Sequence, residues 1–212
     1  MDPIDLIRRQ VKAHFAGVKG SHDWEHTLRV ERLCRRIGPR EGADPLVLRL
    51  AACLHDIGRG QQDQSRGAVC HAHQGARMAA AIMADHDVAP EIQTNVLHCI
   101  RTHRYRNDDP PETIEAKVLF DADKLDAIGA VGVARAYLFA GELGAILHNA
   151  NSQIVDTRPY TREDTGYREF QLKLRYIKDR MLTREGRRLA EARHQVMVDF
   201  FERFVAEING HC

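Results

Sequence analysis

The stretch CLHDIGRG, residues 53–60, sets a histidine beside an aspartate directly after the apolar run LVLRLAACL. An ionisable pair at the end of a core helix costs several kcal/mol unless something compensates it. The chain has twelve histidines in 212 residues, enough to ask whether others are organised around His55 and Asp56.

Helical phase, at about 100° per residue, separates the candidates. Val30, Leu33 and Ile37 recur at helical spacing from His26, so His26 shares a buried stripe; His22, one turn earlier, is its rival or neighbour. In AKVLFDADKLDAIGA, the residues Leu119, Phe120, Asp123, Ala127 and Ala130 fall within about 60° of one line. That places Asp123 in the apolar stripe, Asp121 well away from it and Asp126 at its edge. A buried carboxylate needs a cation, and Lys124 or an arginine is the plain candidate. Ile92, Val96 and Ile100 define an inner face that includes His103 and leaves His98 opposite. Gly75, Ala76, Ala79 and Ala80 mark close helix packing, with either His71 or His73 reaching the interior. A single inward histidine is most simply a hydrogen-bonded core residue. An inward histidine, a His-Asp pair at a helix end and an inward aspartate together are compensated at once by a divalent cation.

These residues require helices to carry them. Periodicity predicts helices near 4–15, 22–37, 45–57, 71–85, 90–104, 112–147 (broken around Gly129 to Gly132) and 167–207. GPREGADP, GRGQQDQSRG and RNDDPPE read as breakers, and polar residues 149–167 as a flap or small ribbon. The expected class is all-α. No repeat or linker divides the chain, so 1–212 reads as one domain. The long C-terminal amphipathic helix can pack on its own core or on a second copy, which leaves a homodimer open. Thirty-one basic against thirty acidic side chains leave no basic excess for a nucleic-acid surface. No apolar run is long enough for a membrane span, and the N-terminus lacks a signal-peptide core. Cys34, Cys53, Cys70, Cys99 and Cys212 form no CxxC pair and read as reduced thiols of a cytoplasmic protein.

The pattern H…HD…D on an all-helical chain resembles the HD-domain metal-dependent phosphohydrolases. SHDWEHTLRV is similar to the family's first-ligand helix, LAACLHDIGR to its namesake motif, and VLFDADKLDAIGAVGVARAY to the segment of its last ligand. The resemblance implies His26, His55, Asp56 and Asp123 as metal ligands. The tail, KLRYIKDRMLTREGRRLAEARHQVMVDFFERF, resembles that of small bacterial stand-alone members. For these it implies hydrolysis of phosphate esters or anhydrides, with nucleoside triphosphate pyrophosphohydrolase activity among the known possibilities. Two imidazoles and two carboxylates suit Mn²⁺, Mg²⁺, Fe²⁺, Co²⁺ or Ni²⁺ with open positions. The expectation is one ion; a second would use His103 with His71 or His73, as some branches of the family allow. His55, Asp56, Lys124 and Arg59 are the expected catalytic residues, with Arg59, Lys124, His71, His73 and His103 the candidate contacts to a small phosphate substrate, a nucleotide first. A phosphomonoesterase, a di-iron oxygenase on the same scaffold and a non-catalytic binding protein are the alternatives.

Overall fold

The structure is a computed structural model that describes residues 3–15, 23–65, 68–104, 109–149 and 151–211. His22 and Cys212 lie outside the described residues. The described residues form helices and no strands, so the chain is all-α. Among them, no helix is long and apolar enough to cross a membrane. They divide into two compact units, 1–123 and 124–212.

The first unit holds α1 (Pro3–His14), α2 (Trp24–Glu41), α3 (Pro45–Leu54), α4 (Arg59–Gln64), α5 (His71–Asp85), α6 (Pro90–Thr102) and most of α7 (Ile114–Asp126), within which the division falls. Here α3 is the hub, packed by α1, α2, α5 and α6. Its Leu50, Ala51, Ala52 and Leu54 are all but inaccessible, as expected of a helix that is apolar all round. Asp44 caps its start, accepting from Leu46 N at 2.7 Å, and Pro45 takes the first turn, where a missing N–H costs nothing. Buried Glu115 accepts from Asp44 N (2.8 Å) and Asn95 Nδ2 (2.9 Å). One carboxylate thus ties the start of α7 to α3 and α6 and sets the height at which the later residues of α7 arrive.

Two expected breakers behave differently. Helix α2 runs through Gly38 and Pro39 and stops at Gly42, whose φ of 72° is the left-handed cap that returns an N–H to Gly38 O. Pro39, in the last turn of α2, removes the one ladder bond its N–H would have made to the carbonyl four residues back, a local cost after which the helix runs only to Glu41. GRGQQDQSRG, expected as a loop, contains α4. The cap of α3 is His55, and Gly58, three residues on, lies where α5 crosses. A Cβ there would come within 2.6 Å of Gly75 N and would also collide with the His71 carbonyl.

The second unit holds α8 (Gly129–Glu142), a 3-10 helix (Asn151–Asp156), α9 (Gly166–Leu172), a second 3-10 helix (Leu174–Arg180) and α10 (Arg184–Ile208). The expected ribbon at 149–167 is instead the first 3-10 helix followed by turns. The expected single helix at 167–207 is broken twice. Thr183 starts α10 by accepting from Gly186 N at 3.0 Å, a cap that competes with helix continuation. An aromatic cluster of Tyr137, Tyr167, Phe170, Phe201 and Phe204 holds α8, α9 and α10 together.

Gly58→Ala should destabilise the protein by about 1–3 kcal/mol through overpacking against backbone rather than against a yielding side chain. Urea denaturation checks it: the midpoint should fall with the slope unchanged, whereas Gly60→Ala, with open space at its Cβ, should not move it.

Candidate metal centre

The first unit gathers the predicted residues at helix ends. Asp23 caps α2 and accepts from His26 N at 2.9 Å, which fixes His26 in the first turn with its ring buried. His55 ends α3 and His103 ends α6, each with helical dihedrals at the cap position. Each turns its ring back on its own helix: His55 Nδ1–H donates to Ala52 O (2.8 Å) and His103 Nδ1–H to Ile100 O (2.6 Å). His71 opens α5, and its Nδ1–H donates to Gln62 Oε1 at 2.8 Å. With each Nδ1–H committed to an oxygen acceptor, Nε2 is the ring nitrogen left facing the centre.

The Nε2 atoms converge on Asp56, which is only 2% exposed. Asp56 Oδ2 lies 3.8 Å from both His26 Nε2 and His55 Nε2; its Oδ1 lies 3.2 Å from His71 Nε2 and 3.7 Å from His103 Nε2. His26 Nε2 is 3.3 Å from His55 Nε2 and 3.3 Å from Asp123 Oδ1; His71 Nε2 is 3.1 Å from His103 Nε2. Two donor triads result, His26–His55–Asp123 and Asp56–His71–His103. Lone pairs so close repel unless a proton or a cation sits among them. The donor set therefore fits a divalent ion. Arg59 supplies part of the compensation, its Nη2 at 3.2 and 3.3 Å from the two oxygens of Asp56.

Burial pushes the His55 ring down to about 4 and the His71 ring down to about 3, from an ordinary 6.5. Both are neutral at physiological pH, the form that coordinates metal. Burial likewise pushes the thiols of Cys53 and Cys99 up to about 12, so these are inert core groups.

The choice between His71 and His73 falls to His71. His71 is buried at the first position of α5, and His73, two residues round the helix, is exposed. The phase reading of α7 needs correction. Asp121, expected to point well away from the buried side, is fully buried, and Asp126 is 1% exposed, whereas the side chain of Asp123 keeps 15% exposure. Helix α7 is enclosed on nearly every side, so no apolar stripe singles out one aspartate. What distinguishes Asp123 is its contact with His26. Asp126 meets Arg135 at 2.8 Å instead. Lys124 follows Asp123 on α7 and is half-buried. Residue phase gave no hint of Gln62; its only signal was an amide placed between the HD pair and the next histidine.

Buried imidazole and carboxylate donors gathered on an HD dipeptide within an all-helical unit define the class. Residues 23–128 match the family described as HD domain, and the chain belongs to it. It is a metal-dependent phosphohydrolase. YpgQ of Bacillus subtilis (strain 168) is 34% identical, over 97% of this chain and 94% of its own length. The crystal structure of Bacillus subtilis YpgQ in complex with ADP is similar at a TM-score of 0.73 and 31% identity, covering 97% and 94% of the two chains. A crystal structure of an HD-superfamily hydrolase from Bacillus thuringiensis is similar at 0.74 and 30%, covering 97% and 96%.

Two predictions follow from this geometry. His26→Ala, His55→Ala, Asp56→Ala and Asp123→Asn should each lose bound metal and turnover together. Asp121→Asn and Asp126→Asn should keep metal and lose stability, the latter by up to about 3–5 kcal/mol because a largely buried guanidinium loses its charged partner. Metal analysis beside denaturation curves separates the two groups, and loss of metal in Asp121→Asn with retention in Asp123→Asn would reverse the assignment.

The second concerns acid. The unfolded chain takes up protons on His55 and His71 near pH 6.5, whereas the folded chain resists until about 4 and 3. The unfolded state binds more protons across that window. The contribution of these rings is therefore whole above about 6.5 and drains away as pH falls toward 3. A bound divalent ion competes for the same nitrogens, so melting temperatures of chelator-treated protein should fall at higher pH than those of metal-loaded protein. Superimposable pH profiles would contradict this.

Proposed function

We propose that the chain hydrolyses a nucleoside triphosphate to the monophosphate and pyrophosphate, using one divalent ion held by His26, His55, Asp56 and Asp123. The observation that carries the reading is the convergence of Nε2 atoms on a buried carboxylate, with Arg59 against that carboxylate. The nucleotide part is supported by the ADP complex of YpgQ.

A divalent ion at such a site polarises a phosphoryl oxygen and lowers the pKa of water. The remaining steps belong to side chains of the chain. Water attacks the α-phosphorus, the bond to the bridging oxygen breaks, and its electron pair leaves with pyrophosphate. His71 Nε2 and His103 Nε2, 3.1 Å apart, take the proton released by water, since both Nδ1 atoms are already committed. An arriving polyphosphate raises the proton affinity of His71 against the burial that lowers it. Once protonated, the pair faces the departing phosphates as a donor. Arg59 and Lys124, the latter beside Asp123 along α7, provide fixed positive charge. Mn²⁺ or a similar ion is the expected activator.

One observation favours a second reading. The triad Asp56–His71–His103 offers three further donors, which would hold a second ion. Against it, Arg59 already occupies the same Asp56 oxygen. Metal analysis of the purified protein should return one ion per chain; two would select the two-ion centre, and optical spectra of an iron-loaded form would then test for oxygenase chemistry.

Turnover should appear with triphosphates and release pyrophosphate, resolved by phosphorus NMR. Orthophosphate from monophosphates with triphosphates intact would make the enzyme a phosphomonoesterase. Inertness toward both with metal bound would end the nucleotide reading.

A further inference from the structure

Gln62 lies on α4, seven residues past His55, and is half-buried. Its Oε1 receives three donors: His71 Nδ1–H at 2.8 Å, the His71 backbone N–H at 3.3 Å and Arg104 Nη1 at 3.2 Å. Three donors aimed at one atom fix the amide orientation, because a flipped amide would present its own N–H₂ to all of them. The same Nη1 of Arg104 also donates to Cys70 Sγ at 3.6 Å. His55 and His103 have their tautomers set by carbonyls of their own helices three residues back. His71 opens its helix and has no preceding turn to lean on. Its ring would be free to carry the proton on either nitrogen, and a proton on Nε2 would fill the face that meets Asp56 and His103.

We infer that Gln62 is a positioning residue. It holds His71 in the Nδ1–H tautomer and keeps Nε2 open toward the centre, while Arg104 holds the Gln62 amide in the orientation this needs. The amide takes the place that a backbone carbonyl takes for the other two histidines. Gln62 acts through its contacts with His71. The functional part of the inference rests on the proposed role of His71.

The test compares Gln62→Leu, which removes the acceptor, with Gln62→Glu, which keeps one of nearly the same shape. In ¹⁵N-histidine-labelled full-length protein, chelated and Mg²⁺-loaded, the wild type and Gln62→Glu should show a protonated Nδ1 and a bare Nε2 for His71. Gln62→Leu should move toward a mixture of tautomers. With Mg²⁺ and a nucleoside triphosphate, kcat of Gln62→Leu should fall by about 10–100-fold, the usual cost of losing such an outer partner. KM should change little, and Gln62→Glu should recover most of the loss. A capping role for Gln62 would instead lower the denaturation midpoint of Gln62→Leu with the ring-nitrogen shifts unmoved, and that result overturns the inference. Equal loss in Gln62→Glu and Gln62→Leu overturns it as well. His71→Ala tests the underlying role separately: full turnover without His71 removes that role, while the ring-nitrogen shifts still decide whether Gln62 sets the tautomer.

Discussion

Asp56 is a carboxylate held almost wholly out of water among four imidazole nitrogens and one guanidinium. Buried alone, such a group would protonate or unfold its surroundings. Its surroundings are arranged so that neither is needed. Arg59 follows three residues on, within reach of both oxygens. Gly58 lies between them and has no Cβ, so the turn can lie against the start of α5, where His71 sits. The tight crossing of α5 exists to bring an imidazole to the far oxygen of Asp56, and the absent side chain at 58 is what permits it.

The four histidines reach Asp56 from helix ends, and the ends differ in kind. His55 and His103 close α3 and α6, where carbonyls and the negative pole of the helix favour a cation. His26 and His71 open α2 and α5, where the pole is positive and favours anionic oxygen. A centre that must hold a metal ion and a phosphate chain side by side is served by both. It also explains the two ways of fixing a ring. A residue at a helix C-terminus finds a carbonyl three residues back; a residue at an N-terminus must borrow an acceptor from another element.

Much of this was legible in the sequence. The apolar stripe placed His26 inward, and the HD pair at the end of a core run announced a compensated charge. The fold class followed from periodicity, and the ends of α5 and α6 from their flanking residues. The failures have physical causes. Helix α7 is enclosed on nearly all sides, so phase could not rank Asp121, Asp123 and Asp126; only contact with His26 or Arg135 does. Pro39 did not stop α2 at once, since it removes a single ladder bond and the helix closes at Gly42 three residues later. The breaks around α9 and α10 escaped notice because no glycine or proline marks them, only Thr183 acting as a cap. A helix starting at 71 did not by itself separate His71 from His73; the burial of one ring and the exposure of the other does.

Charge finally limits what this centre can hold. One divalent ion is balanced by the two carboxylates, Asp56 and Asp123, in the set of proposed ligands, and Arg59 adds positive charge beside Asp56. Such a site favours an anionic substrate, and phosphate brings negative charge whose attraction the low-dielectric surroundings magnify. A second ion would add two further positive charges against the same two carboxylates, one of which already pairs with Arg59. The proton pair of His71 and His103 avoids that repulsion. Burial keeps His71 neutral, and in the proposed reaction positive charge reaches it only with the proton that water gives up, which is when negative charge on the leaving phosphates is greatest. The locked Nδ1–H groups make this timing possible, since the Nε2 atoms that face the reaction are the ones left open to receive it.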